Sequence, residues 1–455
     1  MINLFEYQNK AKIQGSFGAL EGLLDDIWNK RERSSFYSDE EKDTVESQRF
    51  LQFLHQSNEI RANKYVGVIH FGDKKINLLP KIFYDQNYEY SENGVAQIQN
   101  HVLWWLSYCR KIKFPKYQTS MGNAKSDFFE VLIYLFSKYT RELLSSTIYQ
   151  QYQQVDRELS FIKGRLNTST YISQNLSSGN WHKFNCQYDL FEIDNEFNRI
   201  IKYVSALLLD VTCNDENKQN LREILFILDE VSDERATAEQ CSRISFNPMF
   251  GAFETVRDYC HLFLQNCVSL DYKNELKLFA FLLPMEYVFE DFIFGFIDKE
   301  LEGVVAKAQR SDTYLDEDRI FNLRPDLWIN SEGRGLIADT KYKIVYRDAV
   351  DPKKGISQND LYQMLAYAVR FAVDEIVLFY PGTVKQQEME SGEFTIKDAL
   401  ANNKEVLVKA VQLPLINSEI FLAEVNGDCL LNNLFEPTKE RLKTTIKKAL
   451  SISAG

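Results

Sequence analysis

The chain has 455 residues, of which 45% are hydrophobic and 26% charged, and a formal net charge of −12. That length calls for about two or three domains with ordinary globular cores. That acidity argues against a protein that grips DNA with a diffuse basic surface, because affinity for phosphates comes from Lys and Arg. No apolar run reaches membrane-spanning length, and Met1–Glu6 has neither the basic nor the apolar segment of a signal peptide, so a cytoplasmic protein without a membrane partner is expected.

From residue 1 to about 95 the chain reads as β-rich. Val66–Phe71 and Ile76–Leu79 flank Gly72-Asp73, a good hairpin turn. The stretch Asn29–Arg49 is rich in charge and serine and reads as a solvated helix or exposed loop. From about 96 to 280 the pattern is mostly helical. Phe128–Leu144 and Phe197–Val211 carry apolar residues at helical spacing, with Asp194 or Asn195 as the N-cap of the second. Gly164 and Arg165 fall in a short connection, either a turn or a contact surface. The apolar run Leu276–Val288 reads as buried helix. Seven cysteines are scattered without C-x-x-C spacing; Cys260 and Cys267 would share a helix face but make no metal motif, so no structural zinc is expected and free thiols suit a reducing compartment. No P-loop or dinucleotide fingerprint occurs, so the chain itself is not expected to bind GTP.

From about 281 onward the residue types become chemical. Pro284–Ile293 reads as an apolar helix carrying acids, Glu290 among them. The expected strand Arg319–Leu323 leads into Arg324-Pro325-Asp326, and turn residues at 330–335 predict a hairpin into Ile337-Ala338-Asp339-Thr340-Lys341. Strand alternation puts Asp339 and Lys341 on one face, and the hairpin brings Asp326 beside them. Two carboxylates suit Mg²⁺, which takes one or two of them with water and phosphate oxygens. A metal there would polarise a phosphate and activate water, and Lys341 would orient that water or offset developing charge. Leu361, Met364, Leu365 and Ala368 mark a helix on which Gln363 and Tyr367, four apart, share a face toward the metal-bound water or DNA. Glu290 could reach the metal from below the hairpin. Lys343, Arg347, Lys353 and Lys354 are candidate DNA contacts, as is a second basic cluster at Arg110–Lys116. A buried strand Glu375–Gly382, further strands Val406–Leu413 and Glu419–Val425, and a closing helix Thr438–Leu450 complete a small α/β core with a mixed sheet.

Acidic helix, P-D, hairpin, D-x-K and then Q-x-x-x-Y is the layout of the PD-(D/E)xK nucleases. The chain further resembles McrC, the nuclease subunit of McrBC-type systems that restrict modified DNA. The resemblance is carried by Arg61–Ile69 with Ile76–Ile82, by Phe161–Leu166, by Phe184–Asp189 with Asp194, Asn195, Asn198 and Arg199, and by Phe289–Phe292, between about Arg61 and about Pro381. It implies a multidomain α+β or α/β chain: an N-terminal β-rich partner-binding domain (1–95), a helical middle region (96–280) and a restriction-endonuclease-like core (281–455). It implies Mg²⁺, with Mn²⁺ as a substitute, bound by Asp326, Asp339 and Glu290. Lys341 and Gln363 would complete the catalytic set, with Tyr367 and Arg324 as auxiliaries. It implies double-stranded DNA as substrate, cut on assembly with a hexameric AAA+ GTPase of McrB type whose GTP hydrolysis the chain stimulates, and possible self-association through the nuclease domain. In the family an N-terminal projection enters the partner ring, which points to the region of Arg31 and Arg33. Helical sequence between about Ala124 and Leu276 would be an insertion relative to a compact McrC. The alternatives are an assembly subunit whose nuclease fold is unused, and a stand-alone repair nuclease.

Overall fold

The computed structural model describes residues 2–13, 17–18, 20–22, 24, 50–71, 74–110, 128–271, 277–308, 313–331, 334–345, 353, 356–385, 391–398, 404–421 and 431–451. The chain forms two compact units, Met1–Val131 with Asn266–Gly455, and Leu132–Gln265.

The first unit is built on two sheets. One has five strands in the order Ile2–Phe5, Lys74–Leu79, Tyr65–Phe71, Lys277–Pro284, Cys267–Asp271. The expected hairpin forms, with Val68 opposite Asn77. Ile2–Phe5 joins it in parallel. The sheet is finished by chain from beyond residue 266: Lys277–Pro284 runs antiparallel to Tyr65–Phe71. The apolar run read as one helix is therefore a strand to Pro284 and a helix from Met285 to Glu300. A short, uniformly apolar run lacks the period that would tell strand from helix. Here Pro284, held in an extended conformation, ends the strand and sits at the N-cap of the helix. Cys267 likewise opens a strand, because the preceding helix stops at Asn266, so it does not share a helix face with Cys260.

Two helices of this unit cross at very short range. Gly295, on Met285–Glu300, lies so close to the end of Glu92–Tyr108 that a Cβ there would stand 1.8 Å from the Tyr108 carbonyl oxygen. That approach lets the rings of Trp104, Tyr108, Phe292 and Phe296 interlock, with centroids 5.2–5.8 Å apart. Edge-to-face aromatic packing of this kind adds to the burial term.

The second sheet has six strands in the order Val304–Ala308, Leu327–Ser331, Arg334–Thr340, Glu375–Pro381, Lys404–Leu413, Ser391–Asp398. It is mixed: the three middle strands, from Arg334–Thr340 to Lys404–Leu413, are parallel and the outer pairings antiparallel. Parallel neighbours need a crossover; between the first two it is the helix Gln358–Phe371, capped by Ser357, whose hydroxyl accepts from the Asp360 amide. Met364, Tyr367 and Ala368 of that helix pack on Ile337, Ile376, Leu378 and Val408. Two expected strands are shorter or absent. Of Arg319–Leu323 only Asn322–Leu323 is strand, because Arg319 is left-handed (φ 58°) and Asp316 turns the chain by accepting from the Ile320 and Phe321 amides. Glu419 lies in a 3₁₀ turn, Ser418–Phe421; residues 422–425 fall outside the described residues.

The second unit contains helices Glu196–Val211, Asp215–Ile227 and Ala238–Arg243, and also a three-stranded sheet of Gln151–Leu159, Phe184–Glu192 and Arg165–Leu166, so the expected helical stretch carries strands as well. The D-N-x-x-N-R cluster joins sheet to helix. Asn195 caps the helix by accepting from the Asn198 amide; Asn198 donates to Tyr149 O (2.8 Å) and Ile193 O (2.7 Å). Asp194 holds Arg199 at 2.7 Å and the Ser232 hydroxyl at 2.6 Å. Gly164 is a turn residue at φ 69°, where a Cβ would stand 2.5 Å from Gln187 O. Among the described residues no helix is long and apolar enough to cross a membrane.

Gly295→Ala is expected to lower the unfolding free energy by about 1–3 kcal/mol or more. The check is a lower denaturant midpoint at unchanged m.

Candidate active site

The site grows out of one hairpin. Leu327 pairs with Ala338 across it, and one step further along that register sets Asp326 opposite Asp339. The residue between Asp339 and Lys341 secures the arrangement: Thr340 donates its amide (2.8 Å) and its hydroxyl (2.7 Å) to Asp326 Oδ2. Lys341 extends the parallel pairing past the strand end by donating its amide to Phe379 O at 2.8 Å.

Asp339 is 1% exposed, and apart from the Lys341 ammonium, 2.5 Å from Oδ2, neither carboxylate oxygen has a hydrogen-bond partner among the described residues. Burial first, and the neighbouring Asp326 charge second, push its carboxyl up to about 7 against the pull of Lys341. Burial opposes the charged form of Lys341, but the Asp339, Asp326 and Asp360 carboxylates together outweigh it and hold the ammonium above the usual lysine range.

The Q-x-x-x-Y helix closes the site. Lys341 Nζ donates to Gln363 Oε1 (3.1 Å), Gln363 Nε2 donates to the Tyr367 hydroxyl (2.8 Å), and that hydroxyl donates to Arg324 O (3.1 Å). Burial and the Asp339 and Asp326 charges keep the Tyr367 phenol protonated well above its ordinary range. Arg324 thus serves through its carbonyl, while its side chain faces outward.

The structure brings Asp326, Asp339, Lys341, Gln363, Tyr367 and the Arg324 carbonyl together. Lys343 lies at the edge, its ammonium 2.9 and 3.1 Å from the two oxygens of Asp360. Glu290 is half-buried on Met285–Glu300 and is not among the leading charges on Asp339, which are Asp326, Lys341 and Asp360. Lys353 is exposed beside Ile356, Leu361 and Phe394. Arg347, Lys354 and Lys111–Lys116 lie outside the described residues, as do Arg31 and Arg33.

Sequence reasoning missed Asp360, 5% exposed in the first turn of the Gln363 helix. Its signal was an acid three residues before Gln363 and a lysine two after Lys341. It also missed a buried cluster behind the site. Glu6, 0% exposed, accepts from the Tyr342 hydroxyl (2.9 Å) and the Lys81 amide (3.1 Å), while Lys81 Nζ donates to Tyr342 O (2.7 Å). Burial pushes Glu6 up to about 7 despite the Lys81 charge. No local pattern links residues so far apart in the chain.

The donor set fits a hard divalent cation. Asp339 offers buried oxygens that, among the described residues, have no donor other than the Lys341 ammonium, and Asp326 stands across from it. Among the described residues no group of three or more His, Cys, Asp or Glu could hold a metal. Two carboxylates completed by water and phosphate oxygens is a Mg²⁺ pattern rather than a zinc one.

Fold and site together define a multidomain mixed α/β protein with a carboxylate–lysine cluster on a six-stranded mixed sheet. Residues 60–381 match the family model described as McrBC 5-methylcytosine restriction system component, and the chain belongs to that family. No curated protein sequence matches it. Its fold is shared with a chain of the refined half-complex from a tetradecameric assembly of Thermococcus gammatolerans McrB AAA+ hexamers with bound McrC: TM-score 0.65, 19% identity, covering 98% of this chain and 99% of that one. A chain of the cryo-EM structure of the Thermococcus gammatolerans McrBC complex is 22% identical over 66% of this chain and 88% of its own, with a TM-score of 0.49.

Glu6 has a folded-state pKa near 7 against an ordinary 4.5. Its contribution to stability is therefore fully present below about pH 4.5 and lost as pH rises through 7. Glu6→Gln is expected to remove that loss and gain on the native protein between pH 4.5 and 8, by on the order of 1–3 kcal/mol, in urea unfolding series.

Proposed function

We propose that this chain is the DNA-cutting subunit of a McrBC-type restriction system, a Mg²⁺-dependent endonuclease that works in assembly with an AAA+ GTPase. The observation that carries the proposal is the Asp339 carboxylate: buried, opposite Asp326, and among the described residues contacted by no donor other than the Lys341 ammonium. Asp326 and Asp339 would hold Mg²⁺, or Mn²⁺ in its place, with Glu290 retained as a candidate third ligand. When bound, the metal supplies polarisation of the scissile phosphate and a lowered pKa for an attacking water. Lys341, between Asp339 and Gln363, orients that water and offsets charge developing on the phosphate. Gln363 fixes the lysine, and Tyr367 fixes Gln363 against the Arg324 carbonyl. Thr340 fixes Asp326. Lys343 and Lys353 would supply phosphate contacts, and Arg347 and Lys354, outside the described residues, remain candidates from the sequence alone.

The partner follows from charge and surface. A chain at net −12 needs DNA recognition supplied from elsewhere, and the structural neighbour is part of an assembly with McrB AAA+ hexamers. In the Leu132–Gln265 unit, Tyr152, Phe161, Ile162, Ile172, Leu176 and Trp181 are each at least 50% exposed, on the three-stranded sheet and its adjoining segments. We take these exposed apolar side chains as the contact surface for the AAA+ ring. The region around residues 29–49, the candidate by resemblance, lies outside the described residues.

The test is a crossed pair of variants, assayed with the AAA+ partner, GTP, Mg²⁺ and methylated DNA. Asp339→Ala or Lys341→Ala is expected to slow cleavage by at least about a hundredfold and leave stimulation of the partner GTPase intact. Phe161→Ala with Trp181→Ala is expected to lose the stimulation and, with it, cleavage. Cleavage at the normal rate by Asp339→Ala would sink the nuclease reading.

A further inference from the structure

The lysine of the D-x-K motif does not sit on the strand. The strand ends at Thr340; Lys341 keeps one bond to the neighbouring strand, its amide to Phe379 O, and its carbonyl opens the turn that follows. That turn is tight: the Lys343 amide donates to Lys341 O at 2.7 Å, with Tyr342 at its apex. It sends Lys341 to Asp339 and Lys343 to Asp360. Three residues closed by one short-range hydrogen bond make a soft element, yet the ammonium must be placed to a fraction of an ångström for the chemistry proposed above.

What stiffens the turn comes from the other sheet of the same unit. Glu6 directly follows the strand Ile2–Phe5 and continues its parallel pairing, its amide donating to Leu79 O at 3.0 Å. Lys81 follows the neighbouring strand Lys74–Leu79 after Pro80. These two side chains hold Tyr342 at both ends. Lys81 Nζ donates to its carbonyl (2.7 Å) and stands 4.3 Å from its ring centroid; Glu6 accepts from its hydroxyl (2.9 Å). Phe289 closes a further side, its ring centroid 5.7 Å from that of Tyr342. Glu6, Lys81 and Tyr342 are 0%, 9% and 5% exposed. Charged hydrogen bonds kept this far from water are strong and strongly directional.

We propose that Lys81 and Glu6 are positioning residues for Lys341, acting through Tyr342. They touch neither DNA nor metal; they set where the lysine of the cutting site stands. The proposal rests on the nuclease reading, and it gives the N-terminal sheet a direct hold on that site. Without Lys81, the Tyr342 carbonyl and the Glu6 carboxylate lose their shared cation, and the turn relaxes away from Asp339.

The test uses the full chain assembled with its AAA+ partner, with GTP, Mg²⁺ and methylated DNA, in single-turnover cleavage. Lys81→Met is expected to lower the cleavage rate constant about ten- to a hundredfold, with the half-saturating DNA concentration and the GTPase stimulation unchanged. A double-mutant cycle separates positioning from general destabilisation. Placed on Lys341→Met, whose residual cleavage is followed over long incubations, Lys81→Met should cost nothing further. Its full loss appearing again on that background would overturn the proposal. Tyr342→Phe, which removes only the hydroxyl, should show a smaller loss with the same non-additivity, and it carries the cycle if Lys81→Met does not fold. Normal cleavage by Lys81→Met while Asp339→Ala is inactive would overturn the positioning role and leave the nuclease reading standing. Normal cleavage by both would overturn the nuclease reading.

Discussion

A carboxylate kept from water beside a single ammonium governs the organisation of this molecule. Burying Asp339 is costly, and a buried ion pair is rarely a source of net stability. The Lys341 ammonium offsets part of the cost, and the carboxyl still sits near 7. A fold selected for stability alone would place an apolar residue there. The surrounding structure accepts the cost by fixing each neighbour in turn. Thr340 ties Asp326 in place, Gln363 and Tyr367 hold the lysine, and the Arg324 carbonyl anchors Tyr367. The three sequence motifs are thus linked by a chain of hydrogen bonds whose ends are joined through the backbone, so a shift in one disturbs the others.

The sheet explains why these residues meet. Parallel strands need a crossover, and the crossover helix Gln358–Phe371 lays Gln363 and Tyr367 over the end of Arg334–Thr340. Ligand sites in such sheets lie at the carboxyl ends of the strands; Asp339 is the penultimate residue of its strand and Lys341 directly follows it. The second sheet-building region reaches the same point from behind, through Glu6 and Lys81. A site on a strand end would otherwise depend on a loop for its cation. Here that loop is held by buried charge on one side and by the crossover helix on the other.

Much of the site was legible in the sequence because it is local. Turn residues between Asp326 and Asp339 imply a hairpin, and a four-residue spacing pairs Gln363 with Tyr367; Asp339 and Lys341 do meet as alternation suggests, but Lys341 lies past the strand end, where the turn aims it. The Asn195 cap and the Val66–Phe71 hairpin were legible for the same reason. What was not legible depends on long-range pairing. Lys277–Pro284 looks like the start of a buried helix until Tyr65–Phe71 offers it an edge. Glu6 and Lys81 look like an ordinary acid and base until the fold buries both against Tyr342. Asp360 reads as a helix-entry acid, and only its burial and the reach of Lys343 bring it to the site.

The most direct test of the central claim is metal binding by the carboxylate pair, measured with Mn²⁺ as the probe by calorimetry and by the electron paramagnetic resonance signal of the free ion. The assembled protein with DNA should bind Mn²⁺ at a site that is lost in Asp339→Ala and in Asp326→Ala and is competed by Mg²⁺. Mn²⁺ binding of the same stoichiometry and affinity in both variants would contradict it.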